Sequence, residues 1–175
     1  YEILVINDGS LDDTLEVARK FTKLIPNLRV VNVDRNRGKG NAVRTGMLEA
    51  AGKYRLFMDS DNSTSIDHFE NMLPVLKSGY DIVICSRDIK GSKMEPPQSL
   101  LRRLLGNLGN LYIQMLVLPG VWDTQCGFKC FSEDAARGIF SRSKISRWGF
   151  DVEALALGRR LGFKIKEIPV HWVND

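Results

Sequence analysis

Residues 54–61 read Tyr54-Arg55-Leu56-Phe57-Met58-Asp59-Ser60-Asp61, a short apolar run that stops at two carboxylates. The run has the length of a buried strand. Upstream, Asn41 to Ala51 reads as a helix stopped by Gly52, and Leu28 to Val33 as a strand. Thr14 to Leu24 has apolar residues at helical spacing, and Pro26-Asn27 closes it. Ser10 followed by Asp13 predicts a capping box for that helix. Glu2 to Ile6 is a further apolar strand. Downstream, Ile66 to Lys77 reads as a helix ended by Gly79, and Asp81 to Cys85 as a strand. Strand and helix alternate with connections of a few residues. The pattern predicts an α/β fold with a doubly wound, mostly parallel sheet and helices on both faces. In such sheets the ligand crevice lies at the carboxyl ends of the strands. Asp8, Asp34, Asp59, Asp61 and Arg87 all fall there.

Beyond residue 90 the pattern changes. Lys90 to Gln98 is a polar loop, and Ser99 to Leu118 is a long helix candidate. Leu101, Leu104, Leu105, Leu108 and Leu111 share one of its faces. Cys126 to Phe131 reads as a strand with Cys126, Phe128 and Cys130 on one side. Helices over Ser132–Phe140 and Phe150–Leu161 and a strand over Lys164–Ile168 complete the chain. No repeat or long linker divides it, so residues 1–175 are expected to form one domain. Predicted structure abuts both ends, and a piece of a longer protein is expected.

The 175 residues are 43% hydrophobic and 26% charged, enough for one buried core. A net charge of +4 does not by itself argue for nucleic acid. No RNA-binding or helix-turn-helix signature is present, so no nucleic acid partner is expected. Three cysteines make an odd number that fits a reducing compartment better than a disulfide scaffold. Two histidines, neither beside a cysteine pair, argue against structural zinc. No apolar run reaches the length of a membrane span.

Asp59 and Asp61 form the sharpest local signal. A turn can bring both carboxylates to one hard divalent cation, with substrate phosphates completing its shell. The other reading is a strand-end turn in which Asp61 caps the next helix. Asp8, in Asn7-Asp8-Gly9-Ser10, reads either as turn chemistry or as an acceptor for a nucleotide base or ribose. Arg35-Asn36-Arg37-Gly38-Lys39-Gly40 places three cations before a helix N-terminus, a setting that attracts anions. Its spacing is neither that of a P-loop nor that of a dinucleotide fingerprint. Arg87, Arg102 and Arg103 are either surface arginines or phosphate ligands. Asp123 and Asp151 sit among aromatics and glycines, as general-base candidates do.

In order along the chain, Val5-Ile6-Asn7-Asp8-Gly9-Ser10, Asn36-Arg37-Gly38-Lys39-Gly40 and Met58-Asp59-Ser60-Asp61 resemble the family 2 glycosyltransferases of GT-A fold. Ser86-Arg87, Arg102-Arg103, Asp123-Thr124-Gln125-Cys126-Gly127-Phe128-Lys129 and Trp148-Gly149-Phe150-Asp151-Val152-Glu153 resemble the branch that makes dolichyl- or polyprenyl-phosphate sugars. The resemblance implies an inverting, metal-dependent transfer of a hexose from a nucleotide-diphosphate sugar to a polyprenyl phosphate. UDP-glucose is the favoured donor and GDP-mannose the alternative. A saccharide hydroxyl acceptor and a non-catalytic nucleotide-sugar-binding module are the competing readings.

By the same resemblance, residues 1–89 form a nucleotide-binding half and 90–175 an acceptor half. Asp8, Gly9 and Lys39 belong to the nucleotide site, and Asp59 and Asp61 hold Mg²⁺ or Mn²⁺ on the diphosphate. Some relatives have Gln where Ser63 stands, so a third ligand is not implied. Arg87 and Arg102 or Arg103 can meet the acceptor phosphate, Gln125 is a further substrate-binding residue, and Asp123 and Asp151 lie near sugar and acceptor. The family begins with a strand and a helix before residue 2, and that N-terminal strand is expected to be missing here. The implied location is cytoplasmic, at the cytoplasmic face of a membrane.

Overall fold

The computed structural model describes residues 1–96 and 109–173. Strands β1 (Ile3–Asn7) and β2 (Leu28–Asn32) pair in parallel, in register from Ile3 on Leu28 to Asn7 on Asn32. Helix α1 (Thr14–Phe21) crosses between them. Its predicted capping box is not made. Asp13 occupies the N-cap without a side-chain bond, and the Ser10 hydroxyl donates to Asn7 Oδ1 at 2.6 Å. Ser10 therefore fastens the end of β1 instead of starting the helix.

Helix α2 (Lys39–Glu49) begins two residues earlier than the sequence suggests, because Gly38 turns the chain at φ 100°. Then follow β3 (Tyr54–Met58), α3 (His68–Lys77) and β4 (Ile82–Ser86). Residues 93–95, expected as loop, form a short strand β5 (Lys93–Glu95). Helix α4 is described over residues 109–116. The first part of the predicted 99–118 helix lies outside the described residues, with Leu101, Leu104, Leu105, Leu108, Arg102 and Arg103. The chain closes with β6 (Phe128–Ser132), α5 (Glu133–Phe140), α6 (Phe150–Arg160), β7 (Ile165–Pro169) and β8 (His171–Val173). Strand β8 is not expected from the sequence; it pairs in parallel with β5.

The main sheet has the order β3-β6-β4-β7. β4 and β7 are parallel, whereas β6 runs antiparallel to both β3 and β4. A strand from the second half thus lies between two strands of the first, and both halves share one sheet. β4 alternates across it. Ile82 and Ile84 enter a core with Met47, Phe131, Ile139, Phe140 and Leu155, under α2, α5 and α6. Val83 and Cys85 enter a second core with Met72, Leu76, Cys126, Phe128 and Cys130, under α3. The expected grouping of Cys126, Phe128 and Cys130 on one side holds. Period-two alternation then turns Lys129 and Phe131 to the opposite side, toward α6.

Two helix starts bear on the site. α5 is capped by Ser132, whose side chain accepts from Ala135 N, with Glu133 and Asp134 in its first turn. α6 follows Gly149 at φ 96° and carries Asp151 and Glu153 in its first turn, where the helix dipole favours negative charge. No helix of the described residues is long and apolar enough to cross a membrane.

Candidate active site

The loops at the carboxyl ends of β1, β2 and β3 converge. The Asp8 carboxylate accepts from the backbone N–H of Arg37 at 3.1 and 3.2 Å and from that of Gly38 at 2.7 Å. Asp8 thereby holds the basic turn in place. Gly9 lets the two loops meet: a Cβ there would lie 2.5 Å from Asn36 N, and its φ is 71°. The next residues of the turn pack on the segment before α6. A Cβ on Gly40 would lie 2.5 Å from the Ile145 carbonyl, and Asn41 N donates to the Ser146 carbonyl at 3.0 Å. Glu153 reaches back from α6 to accept from Lys144 N and Ile145 N, which fixes that segment.

Lys39 extends from this turn to Asp59. Its Nζ lies 2.7 Å from Oδ1 and 2.9 Å from Oδ2, and 5.8 Å from the ring centre of Trp148. Trp148 is 85% exposed. Asp59 is backed by Gly127, whose carbonyl accepts from Asp59 N at 3.1 Å. Asp61 does not cap α3. Its Oδ1 accepts from Ser63 N at 3.0 Å, an Asx turn, and Asn62 adopts φ 57° beside it. Asp61 is exposed and lines a cavity of about 350 Å³ with Ser63, Ser65, His68 and His171. His171 donates its backbone N–H to His68 Nε2.

Asp123 is fully buried and belongs to Arg87. Oδ2 accepts from Arg87 Nε at 2.7 Å and from its backbone N at 3.0 Å, and Oδ1 accepts from Nη2 at 3.0 Å. Oδ1 also takes Gln125 N and Cys126 N, both at 3.1 Å. Burial alone would raise the Asp123 pKa, but the Arg87 hydrogen bonds and charge hold it below the ordinary carboxylate value. Burial likewise opposes the Arg87 charge, and Asp123 more than restores it, leaving Arg87 more firmly protonated than usual. The guanidinium lies 5.0 Å from the ring centre of Trp172. Glu167 on β7 accepts from Trp122 N and Asp123 N, so the loop that carries Asp123 is anchored too. Gln125 meets this pair through its backbone N–H, and the residue itself is exposed.

Asp151 is nearly buried and meets Lys129, whose Nζ lies 2.5 Å from Oδ1. Lys129 is a buried cation beside the site and is not among the site residues expected from the sequence. A lone cation in an otherwise apolar strand is the signal that could find it, since a buried charge requires a partner. His171 and Trp172 escape sequence reasoning because the short strand that carries them has no legible periodicity.

Asp59 and Asp61 carry hard oxygens of the kind a divalent cation takes, with Lys39 on Asp59 and Asp61 turned to the cavity beside His68 and His171. Asp61 has an oxygen without a hydrogen bond among the described residues, and Asp59 is held by a displaceable lysine. No group of three or more histidine, cysteine or acidic side chains is gathered for a metal among the described residues. Two carboxylates completed by diphosphate oxygens suit this arrangement better than an all-protein cage.

Residues 1–140 match Glycosyl transferase family 2. The chain is 38% identical over 181 residues to the dolichyl-phosphate beta-glucosyltransferase of Dictyostelium discoideum, covering 99% of this chain and 55% of that protein. To the Homo sapiens protein of that name it is 34% identical, covering 99% and 56%. The chain spans about half the length of the curated relatives it matches. Among solved structures, Mycobacterium tuberculosis glucosyl-3-phosphoglycerate synthase in complex with Mn²⁺ and UDP-glucose superposes with a TM-score of 0.67 at 20% identity. That alignment covers 97% of this chain and 58% of the other, and the shared fold is GT-A. The match over residues 1–140 and the likeness to these relatives along nearly the whole chain establish that it belongs to glycosyl transferase family 2.

Proposed function

We propose that the protein transfers glucose from UDP-glucose to a polyprenyl phosphate such as dolichyl phosphate, with inversion at the anomeric carbon. The observation that carries this reading is that residues 123–127 join two constellations, Asp123 gripping Arg87 and the Gly127 carbonyl taking Asp59 N. One is Asp8, Lys39, Asp59 and Asp61, suited to a nucleoside diphosphate and its cation. The other is Arg87, gripped by Asp123, suited to a second anion. Likeness to relatives named dolichyl-phosphate beta-glucosyltransferase supports the acceptor and the sugar.

Residues 1–89 would bind the donor, with Asp8 and Gly9 shaping the nucleotide side. Asp59 and Asp61 would hold Mg²⁺ or Mn²⁺. The bound cation neutralises charge on the leaving diphosphate. Lys39, paired with Asp59 in this structure, would be available to the donor phosphates were Asp59 to hold the cation. Residues 90–175 would bind the acceptor. Two of the Arg87 nitrogens are committed to Asp123, which leaves Nη1 to meet the acceptor phosphate. Arg102, Arg103 and Gln125 are assigned to the same side.

In the transfer, an acceptor phosphate oxygen attacks the anomeric carbon. The bond from that carbon to the diphosphate oxygen breaks, and UDP leaves with the electron pair. A phosphate monoester is already largely ionised near neutrality, its second pKa being about 6. It needs positioning more than it needs a base. Asp123 has both oxygens occupied, so Asp151 is the remaining proton acceptor for a hydroxyl substrate. That second reading is kept because Asp151 Oδ2 makes no hydrogen bond among the described residues. The exposed Leu111, Tyr112, Met115 and Leu116 of α4, with Trp122, suit a membrane surface. Three free cysteines suit its cytoplasmic face.

The test is glucosyl transfer by the protein with UDP-glucose or GDP-mannose, polyprenyl phosphate and Mn²⁺. The reading predicts a glucosyl-phosphate lipid from UDP-glucose, and Asp151→Asn lowering the rate by less than about 10²-fold, the lower end of what a general base contributes. Product from a saccharide hydroxyl instead, with a larger loss in Asp151→Asn, would establish the second reading. Absence of any turnover would leave a binding module.

A further inference from the structure

Lys129 is fully buried, and the sequence around it offers no reason for a charge there. It sits in β6 between Phe128 and Cys130, on the face that packs against α6. Holding an ammonium ion in a protein interior costs several kcal/mol unless every donor is matched. Here the matches are specific. Nζ donates to Asp151 Oδ1 and to the Cys126 carbonyl, each at 2.5 Å, and lies 5.2 Å from the ring centre of Phe57. Each partner belongs to a different part of the site. Asp151 opens α6, and Phe57 is in β3, two residues before Asp59. Cys126 precedes Gly127, which backs the Asp59 carboxylate.

We infer that Lys129 is the positioning residue of the site. Its ammonium fixes the rotamer of Asp151 by taking Oδ1, so that only Oδ2 remains for the reacting groups. Through the Cys126 carbonyl it ties that carboxylate to the segment behind Asp59. A purely apolar β6 would pack as well, but it would leave Asp151 with neither partner nor fixed orientation. A buried pair is weak evidence for stability and better evidence for a requirement of geometry. The inference rests on the proposed glucosyl-transfer centre and on Asp151 Oδ2 facing its reacting groups, as an orienting acceptor with a phosphate substrate or as a base with a hydroxyl.

The test is a double-mutant cycle with Lys129→Met, Asp151→Asn and both together, plus Lys129→Arg. Turnover is followed with UDP-glucose and polyprenyl phosphate, and in parallel as transfer to water. Misplacing one reacting group by about 1 Å costs on the order of 10²-fold in rate. Lys129→Met is therefore expected to lower kcat by roughly 10- to 100-fold, with KM for UDP-glucose within about twofold. Adding Asp151→Asn should cost nothing further, because the lysine acts through that carboxylate. Lys129→Arg, which keeps the charge and the donors, should recover most of the rate. The double variant leaves no unpaired buried charge and keeps the cycle readable if Lys129→Met folds poorly. Losses that multiply in the double variant would overturn the inference, as would a fall in thermal stability with kcat unchanged. Lipid transfer absent while the cycle holds on transfer to water would reject the proposed acceptor and retain Lys129.

Discussion

Gly127 and Asp59 stand so close that a Cβ on the glycine would fall 2.1 Å from Asp59 Oδ2. No real side chain survives that approach, so any other residue at 127 must push the carboxylate aside. The glycine in Cys126-Gly127-Phe128 is thus a requirement of the first carboxylate of Asp59-Ser60-Asp61, some 70 residues earlier in the chain. Gly127→Ala should leave the fold intact, because the atom that must move ends a side chain and not a backbone segment. Mn²⁺-dependent UDP affinity should fall at least about tenfold, roughly 1.4 kcal/mol. Calorimetry with a circular dichroism control reads both quantities.

Asp123 and Arg87 supply a second expectation. Asp123→Asn removes the charge facing a largely buried guanidinium, a loss of about 3 kcal/mol for a broken buried pair. The effect depends on pH in a definite direction. The folded pKa of Asp123 lies below its unfolded value, with burial opposing the shift and Arg87 outweighing it. Its contribution to stability is therefore complete above the unfolded value of about 4 and is lost as pH falls through the folded value. Urea unfolding should show the variant much weaker than the wild type at pH 7, with the gap closing below about pH 4.

The thiols should be silent. Burial pushes Cys126 and Cys130 up to about 12, with the Asp123 charge adding to the rise at Cys126. Cys85 is raised further still, again chiefly by burial. Reactivity follows the thiolate. The native protein should resist an aromatic disulfide reagent at pH 8, and all three cysteines should react once it is denatured.

Much of this architecture is legible in the sequence. The alternation of apolar runs with helical periods places β1 to β4 and the helices between them, because each element buries one face at its own repeat. The acidic and basic residues at strand ends mark the crevice because ligands of α/β sheets bind at the carboxyl ends of the strands. The direction of β6 is not legible, since Phe128 to Ser132 alternates identically read either way. Strands β5 and β8 are too short to show a period. The roles of Asp8 and Asp123 are legible only in part. Strand position places Asp8 at the crevice and the family resemblance places Asp123 near the acceptor, but only geometry shows Asp8 holding the Arg37–Gly38 backbone and Asp123 holding Arg87. Lys129 is visible as a lone cation in an apolar strand, but its partners, Asp151 and the Cys126 carbonyl, meet it only in the folded chain.

The most direct test of a donor site at Asp59 and Asp61 is titration calorimetry with UDP and with GDP, with and without Mn²⁺, on the wild type and on Asp61→Ala. The account predicts UDP binding that strengthens with Mn²⁺ and loses that strengthening in Asp61→Ala. Metal-independent binding, or binding unchanged in Asp61→Ala, would contradict it.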